Sequence, residues 1–283
     1  MIFLLVLIGG FALLAAALYV FQRHLIYHPR NYDKGYEFHN FESVVELKYQ
    51  TAEGNQVSFY LPPKTALNGP PETLWILFGG NASLALDWYD FVQEYPDSQA
   101  GFLLIEYPGY GKCEGKASPE SILLSTEKAL DRLAQFFQLE RAQLESNIRL
   151  MGHSLGTGPG LQFAVRHPVN QIVLVSPFTS LQDMACRVVG KPLCYLLKHH
   201  FDNENELARL VKQSPTPGIQ IFHGTNDPVI PVEMSRRLAE KFPSAINYYE
   251  IPEADHNFIL SLAQIQIFQI MQNAPAGTKT KRH

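Results

Sequence analysis

Five residues constrain this chain more than any others: Gly152-His153-Ser154-Leu155-Gly156, set where the short apolar run 148–151 gives way to a helix-like stretch. A serine at such a corner needs small flanking residues, because the turn is sharp and a side chain at Gly152 or Gly156 would collide with neighbouring backbone. The corner holds Oγ exposed, and the helix behind it aims free N–H groups and a positive dipole end at the same spot, which suits an oxyanion. The competing reading is a helix N-cap serine, and the string alone does not decide between them.

The nucleophile reading requires an acid and then a histidine later in the chain, each past the C-terminal end of a strand. The apolar run 218–222 reads as a strand and is followed by the polar segment His223-Gly224-Thr225-Asn226-Asp227-Pro228. A second strand, 246–251, leads into Glu253-Ala254-Asp255-His256-Asn257-Phe258. A serine hydroxyl is a poor nucleophile, so an imidazole must take its proton and a carboxylate must fix the tautomer. His256 is the expected base and Asp227 its orienter, with Asp255 as second choice, since an immediate neighbour's side chain usually points away. His153 is expected to pack under the helix and His223 to hydrogen-bond at a strand end, while His199-His200 lacks a third ligand at metal spacing.

The oxyanion donors of such a site are the N–H of the residue after the nucleophile and one from a loop after an earlier strand. Leu155 is the first candidate. The earlier strand is 73–78, and Gly79-Gly80-Asn81-Ala82 after it makes Asn81 the second candidate, with two glycines permitting close approach to a carbonyl. The alternative for the glycines is a simple turn.

These residues resemble the α/β-hydrolase superfamily, specifically membrane-anchored serine hydrolases of the α/β-hydrolase domain-containing type, from about Leu25 to Met271. The markers are Leu25-Ile26-Tyr27-His28-Pro29, Gly80-Asn81-Ala82, the run Tyr107-Pro108-Gly109-Tyr110-Gly111-Lys112-Cys113-Glu114-Gly115, the elbow through Gly158, and the two later loops. The resemblance implies Ser154 as nucleophile, Asp227 as acid and His256 as base, in agreement with the residue chemistry. The chain departs from it at Gly79, Pro108 and Cys113, where many relatives carry histidine, arginine and serine.

The rest of the sequence fits that architecture independently. After the N-terminal segment, the remainder of the 283 residues suits one α/β domain. Strands are expected at 44–49, 57–61, 73–78, 102–107, 147–151, 171–176, 219–222 and 246–251, mostly short apolar runs buried on both faces. Helical patterns at 122–137, 161–167 and 232–242 alternate with them, with Pro119-Glu120 and Pro231-Val232-Glu233 as helix starts. The expectation is an α/β-hydrolase fold, a mostly parallel eight-stranded sheet flanked by helices, carrying a small helical cap inserted at about 178–216. Leu193, Tyr195, Leu196, Leu197 and Phe201 in that insert are read either as an acyl pocket or as the core of two small helices.

Residues 2–21 carry no charge, and thirteen of these twenty are Leu, Ile, Phe or Val. As a helix they span about 30 Å, one hydrocarbon core. Residues 1–22 are therefore expected as an uncleaved single-pass anchor, because the basic flank of a signal peptide is missing. Arg23, Arg30 and Lys34 follow the span, which by the positive-inside rule turns the catalytic domain, 36–273, toward the cytoplasm. Cys186 and Cys194 would pair only in an exported domain, so reduced buried thiols are expected. Residues 274–283 are expected as a disordered basic tail near anionic headgroups.

Other chemistries are excluded. Gly115-Lys116 lacks the first glycine and the Ser or Thr of a phosphate loop, which are Tyr110 and Ala117 here. A net charge of −4 without a basic face argues against nucleic acid, no metal-ligand cluster is visible, and no cofactor is required. The sequence thus points to a membrane-tethered serine hydrolase of acyl esters or thioesters, with lipid-linked substrates favoured by tethering. A serine peptidase and a non-catalytic membrane adaptor on a hydrolase shell are the alternatives, and oligomeric state is not encoded.

Overall fold

The computed structural model describes residues 2–33, 43–65 and 69–273. The start of the expected domain at residue 36 and the expected tail 274–283 lie outside the described residues. Eight strands, β1 (Val45–Thr51), β2 (Gly54–Leu61), β3 (Thr73–Phe78), β4 (Ala100–Ile105), β5 (Ile148–His153), β6 (Gln171–Val175), β7 (Gly218–Gly224) and β8 (Ile246–Ile251), form one sheet in the order β1-β2-β4-β3-β5-β6-β7-β8. Only β1 against β2 and β2 against β4 run antiparallel. The parallel remainder, from β4 through β3 and β5 to β8, carries every sequence-predicted site residue at or beyond a strand's C-terminal end, where open α/β sheets bind ligands.

The strands form where β-branched and aromatic residues alternate between two covered faces. Along β3, Leu74, Ile76 and Phe78 enter one core cluster while Trp75 and Leu77 enter the other. The first cluster is closed by α3 (Pro119–Phe137) and α5 (Thr157–Ala164), through Ile122, Leu130, Leu133, Leu161 and Phe163. The second is closed by α2 (Tyr89–Gln93) and by the C-terminal pair α9 (Ile259–Leu262) and α10 (Gln264–Gln272), through Phe91, Ile267, Phe268 and Met271. The short α4 (Arg141–Glu145) leads into β5, and α8 (Val232–Lys241) crosses from β7 to β8.

Helix α3 starts at Pro119, at the expected Pro119-Glu120 start, because Ser118 caps it by accepting from the Ser121 N–H at 3.0 Å and proline suits the first helical position. The limits of the next long helix depart from the sequence expectation of 161–167. Helix α5 starts at Thr157, directly behind the serine corner, and ends at Ala164 rather than residue 167. Gly158 and Gly160, poor helix formers in isolation, are present for packing: a Cβ at Gly158 would lie 2.5 Å from the Phe201 ring.

Between β6 and β7 the chain inserts α6 (Leu181–Val189), a 3₁₀ turn (Leu193–Leu196) and α7 (Asn203–Leu210). Here one expectation is corrected. Cys186 and Cys194 are bonded to each other, not reduced, because the loop after α6 folds back and brings their Cα atoms to 4.8 Å. Only Cys113 among the three cysteines is a free thiol, and it is buried.

At the other end, α1 (Ile2–Ile26) contains the one helix among the described residues long and apolar enough to cross a membrane, Val6–Ile26, with mean hydropathy 1.7 and 6% of it buried. By length and composition it is compatible with an anchor or a signal sequence. It runs past the expected limit at residue 22, carrying Gln22, Arg23 and His24 in its last turns.

Candidate active site

Ser154 sits at the tip between β5 and α5 with φ 54°, a left-handed conformation rare for a residue with a side chain. The flanking glycines explain why the chain tolerates it. A Cβ on Gly152 would lie 2.6 Å from the Gly156 carbonyl oxygen, and one on Gly156 would collide with the Phe78 carbonyl.

Three side chains far apart in sequence meet at this tip. Ser154 Oγ lies 2.8 Å from His256 Nε2, and His256 Nδ1 lies 2.7 Å from Asp227 Oδ2. Ser154 and His256 are only 7% and 6% exposed, so the contact is shielded from water yet open on one side. Asp227 is fixed from behind, its Oδ1 accepting from the N–H groups of Val229 at 2.9 Å and Ile230 at 2.8 Å. Burial by itself would raise its pKa, but the hydrogen bonds from His223, His256 and the Ile230 N–H outweigh it and hold the carboxyl far below the usual carboxylate range.

The remaining candidates separate cleanly. Asp255 does not reach His256, because its Oδ1 accepts from the N–H groups of Asn257 and Phe258 in a turn. His223 is buried at the end of β7, with Nδ1 2.6 Å from Ser235 Oγ, Nε2 2.9 Å from the Ile230 carbonyl and 3.3 Å from Asp227 Oδ2, a second support of the carboxylate. His153 does not lie under the helix as expected. Its Nε2 is 3.1 Å from the His256 carbonyl oxygen, and its ring centroid is 5.0 Å from that of His256. Burial and the neighbouring His256 push its pKa down to about 4, so it stays neutral and props the loop that carries His256. Nothing in the sequence beyond its place inside the elbow signals that role. No metal-ligand group exists among the described residues, and His199 instead contacts the Tyr27 hydroxyl at 3.3 Å.

The loop after β3 passes close over the serine: a Cβ at Gly80 would lie 3.2 Å from His153 Nδ1 and 3.4 Å from Ser154 Cβ. Asn81 and Leu155 both border the same cavity as Ser154. The Asn81 carboxamide has a separate role that sequence reasoning missed. Its Oδ1 accepts from the His28 N–H at 2.9 Å, the Tyr110 hydroxyl at 2.9 Å and the Ala82 N–H at 3.1 Å, while its Nδ2 donates to the Ile26 carbonyl at 2.7 Å. Tyr107 adds a hydroxyl bond to the Gly79 carbonyl at 2.7 Å. The run 25–29 at the end of the apolar helix and the run 107–115 therefore meet at this loop, which gives those two sequence markers a physical reason. Cys113 serves packing, its buried thiol exchanging hydrogen bonds with the Val57 N–H and carbonyl at 3.3 Å and its pKa raised by burial to about 12.

An apolar cavity of about 480 Å³ opens above Ser154. Leu193, Leu196 and Leu197 line it, as one of the two sequence readings had it, whereas Tyr195 is 58% exposed outside and Phe201 is core beneath Gly158. A smaller, more polar cleft of about 330 Å³ lies on the far side of Gly80 and His153.

No protein-family model matches the chain. An uncharacterised protein of Mycobacterium tuberculosis is 26% identical over 251 residues, covering 87% of this chain and 85% of its own length. Among solved structures, an esterase of Pyrococcus furiosus matches 87% of this chain and 96% of its own with a TM-score of 0.62 at 13% identity. The thioesterase domain from the curacin biosynthetic pathway matches 81% and 99% with a TM-score of 0.58 at 10% identity. With α/β hydrolases among these neighbours and the strand order described above, the chain has the α/β-hydrolase fold.

Proposed function

We propose that this chain is a serine hydrolase that cleaves a carboxylic ester or thioester through an acyl-enzyme on Ser154. The observation that carries the reading is the continuous relay from Ser154 Oγ to His256 at 2.8 Å and from His256 to Asp227 at 2.7 Å. Ser154 Oγ attacks the acyl carbon while its proton passes to His256 Nε2. The ionised Asp227 stabilises the resulting imidazolium, and the N–H groups of Asn81 and Leu155 hold the oxyanion. Collapse breaks the bond to the leaving alkoxide or thiolate, which receives the proton from His256. Water, deprotonated by His256, then attacks the acyl-enzyme and releases the acid, restoring the serine hydroxyl. In this reading residues 36–273 are the catalytic domain, 178–216 its cap and 1–22 a membrane anchor.

The side of the membrane follows from a balance of two observations. The cations after the span argue for the cytoplasm, whereas a Cys186–Cys194 bond persists in an oxidising compartment. We assign the catalytic domain to the oxidising side, since the bond needs that environment and the charge bias rests on a handful of residues.

A fluorophosphonate probe tests the chemistry. Labelling of the full-length protein in detergent that disappears in Ser154→Ala, together with a loss of ester hydrolysis of about a thousandfold or more, is the expected result. An unlabelled wild type would leave the adaptor alternative standing.

A further inference from the structure

The cavity over Ser154 is walled by two parts of the chain far apart in sequence, α6 and the end of α1. One wall is α6, an amphipathic helix none of whose nine residues is buried. Its apolar side chains Leu181, Met184, Val188 and Val189 line the cavity, Leu181 and Met184 also resting on the core beneath. The opposite wall is the end of the apolar helix α1, through Leu18, Gln22, Leu25 and Ile26, a stretch of about 12 Å along the helix axis at about 1.5 Å per residue. The floor is Ser154, Leu155 and Asn81.

The α1 wall is fixed in place. Gln22 is 7% exposed, its Nε2 donating to the carbonyls of Tyr19 at 2.9 Å and Leu196 at 3.3 Å and its Oε1 accepting from the Lys198 N–H at 2.5 Å. Its polar atoms are thus spent on the protein, and the cavity keeps an apolar lining at this point. Lys198 Nζ stands 3.4 Å over the Tyr19 ring, a cation–π contact that joins the insert to the same helix. The Cys186–Cys194 bond ties α6 to the turn that packs on α1. At the rim, Leu25 and Val188 are 59% and 81% exposed.

An unfilled apolar wall of this extent is destabilising unless something covers it, and the covering molecule must present a carbonyl to Ser154. The cavity, of about 480 Å³ and open at its rim, has room for an acyl chain. The wall residues Leu18 to Ile26 are themselves the last part of the candidate membrane span Val6–Ile26, so a bilayer that held the span would meet the cavity rim.

Resting on the hydrolase reading above, we propose that the last two turns of α1 are part of the acyl-binding site, and that the substrate is an acyl ester of a membrane lipid whose acyl chain lies between α1 and α6. The helix is then a specificity element as well as a tether, with Leu18 and Leu25 setting the chain length accepted.

The test uses the full-length protein in detergent micelles, with nitrophenyl esters from acetyl to palmitoyl and a mono-oleoyl glycerol substrate. Leu25→Trp fills the cavity from the α1 side and Leu25→Ala enlarges it. Val20→Trp is the control, since Val20 is 67% exposed and does not line the cavity. Expected is a fall of about tenfold or more in the ratio of kcat/KM for palmitoyl and mono-oleoyl substrates to that for the acetyl ester in Leu25→Trp, and a chain-length optimum moved to longer acyl groups in Leu25→Ala. A chain-length profile unchanged in both Leu25 variants, or moved equally by Val20→Trp, overturns the proposal. If Leu25→Trp loses all activity together, the profile of Leu25→Ala decides. Failure of wild-type Ser154 to take up the fluorophosphonate sinks the underlying hydrolase reading instead, so the two failures are distinct.

Discussion

Glu106, the residue after β4, is 1% exposed and anchors the chain that links α1 to the catalytic loops. It accepts from the Tyr32 hydroxyl at 2.5 Å and from the Ala85 N–H at 3.1 Å, with the Arg30–Asp87 ion pair nearby at 2.8 Å and the Cys113 thiol directed at its backbone carbonyl. Burial raises its pKa from 4.5 to about 8, against the lowering effect of the two hydrogen bonds. An acid whose folded pKa is raised keeps its proton in the native state where the unfolded chain has released it. Its contribution is therefore complete below 4.5 and is lost as pH climbs through about 8. At about 1.4 kcal/mol per pH unit, the loss across that window is on the order of 5 kcal/mol. Glu106→Gln removes the titration while keeping the shape and an acceptor for Ala85. Thermal unfolding of both proteins between pH 5 and pH 9 is the assay. The wild-type midpoint should fall relative to the variant by about 10 °C or more on going alkaline, given roughly 2–4 °C per kcal/mol for a domain of this size. Every other carboxylate is common to both proteins and cancels. Parallel pH profiles would refute the assignment of a buried, protonated carboxyl at this position.

Two further outcomes follow from the site and its surroundings. Asn81→Ala keeps the proposed backbone donor but removes the bonds to Ile26, His28 and Tyr110; a kcat lowered by about tenfold with little change in KM is expected, below the hundredfold or more that loss of an oxyanion donor brings, and an unaltered kcat would mean the carboxamide does not position the loop. For the cysteines, alkylation of the denatured protein before reduction should modify Cys113 alone and after reduction all three, whereas three modified thiols without reductant would remove the Cys186–Cys194 bond and return the domain to the cytoplasmic side.

The parts of the site legible in the sequence are those where residue type dictates backbone. Gly152 and Gly156 are needed because no Cβ fits beside Ser154 at φ 54°, so the corner can be read from five letters. Asp227 and His256 are legible because each follows an apolar run that must be a strand, and parallel strands deliver their following loops to one edge. What escapes the sequence is whatever depends on a side chain choosing a distant partner. The Asn81 carboxamide, His153 against the His256 carbonyl and the Gln22 contacts with the insert join segments 53, 103 or more than 170 positions apart, with no local pattern to announce them. The cysteine pair escapes for the same reason: separation along the chain is eight, but only the return of the chain after α6 decides that they meet. In the insert, Leu193 and Leu196 line the cavity while Phe201 packs as core, and composition cannot divide residues between an inner wall and a core.

The linkage between α1 and the site changes what the proposed anchor would do. A flexible tether raises local concentration but leaves orientation free. Here the chain leaving α1 is bonded at successive points: Ile26 and His28 to Asn81, the Arg30 carbonyl to the Gly111 N–H at 2.9 Å, the Arg30 side chain to Asp87, and Tyr32 to Glu106. Each exposed pair alone contributes little, yet together they leave no free segment between Ile26 and Tyr32 over which the domain could swing. A helix held in a bilayer would then hold the serine at one fixed depth and tilt, with the cavity rim facing the lipid. Binding energy that a loosely tethered enzyme would spend on orientation is in place before the substrate arrives, so the same Asn81 contacts that shape the proposed oxyanion loop also set the approach of the acyl chain.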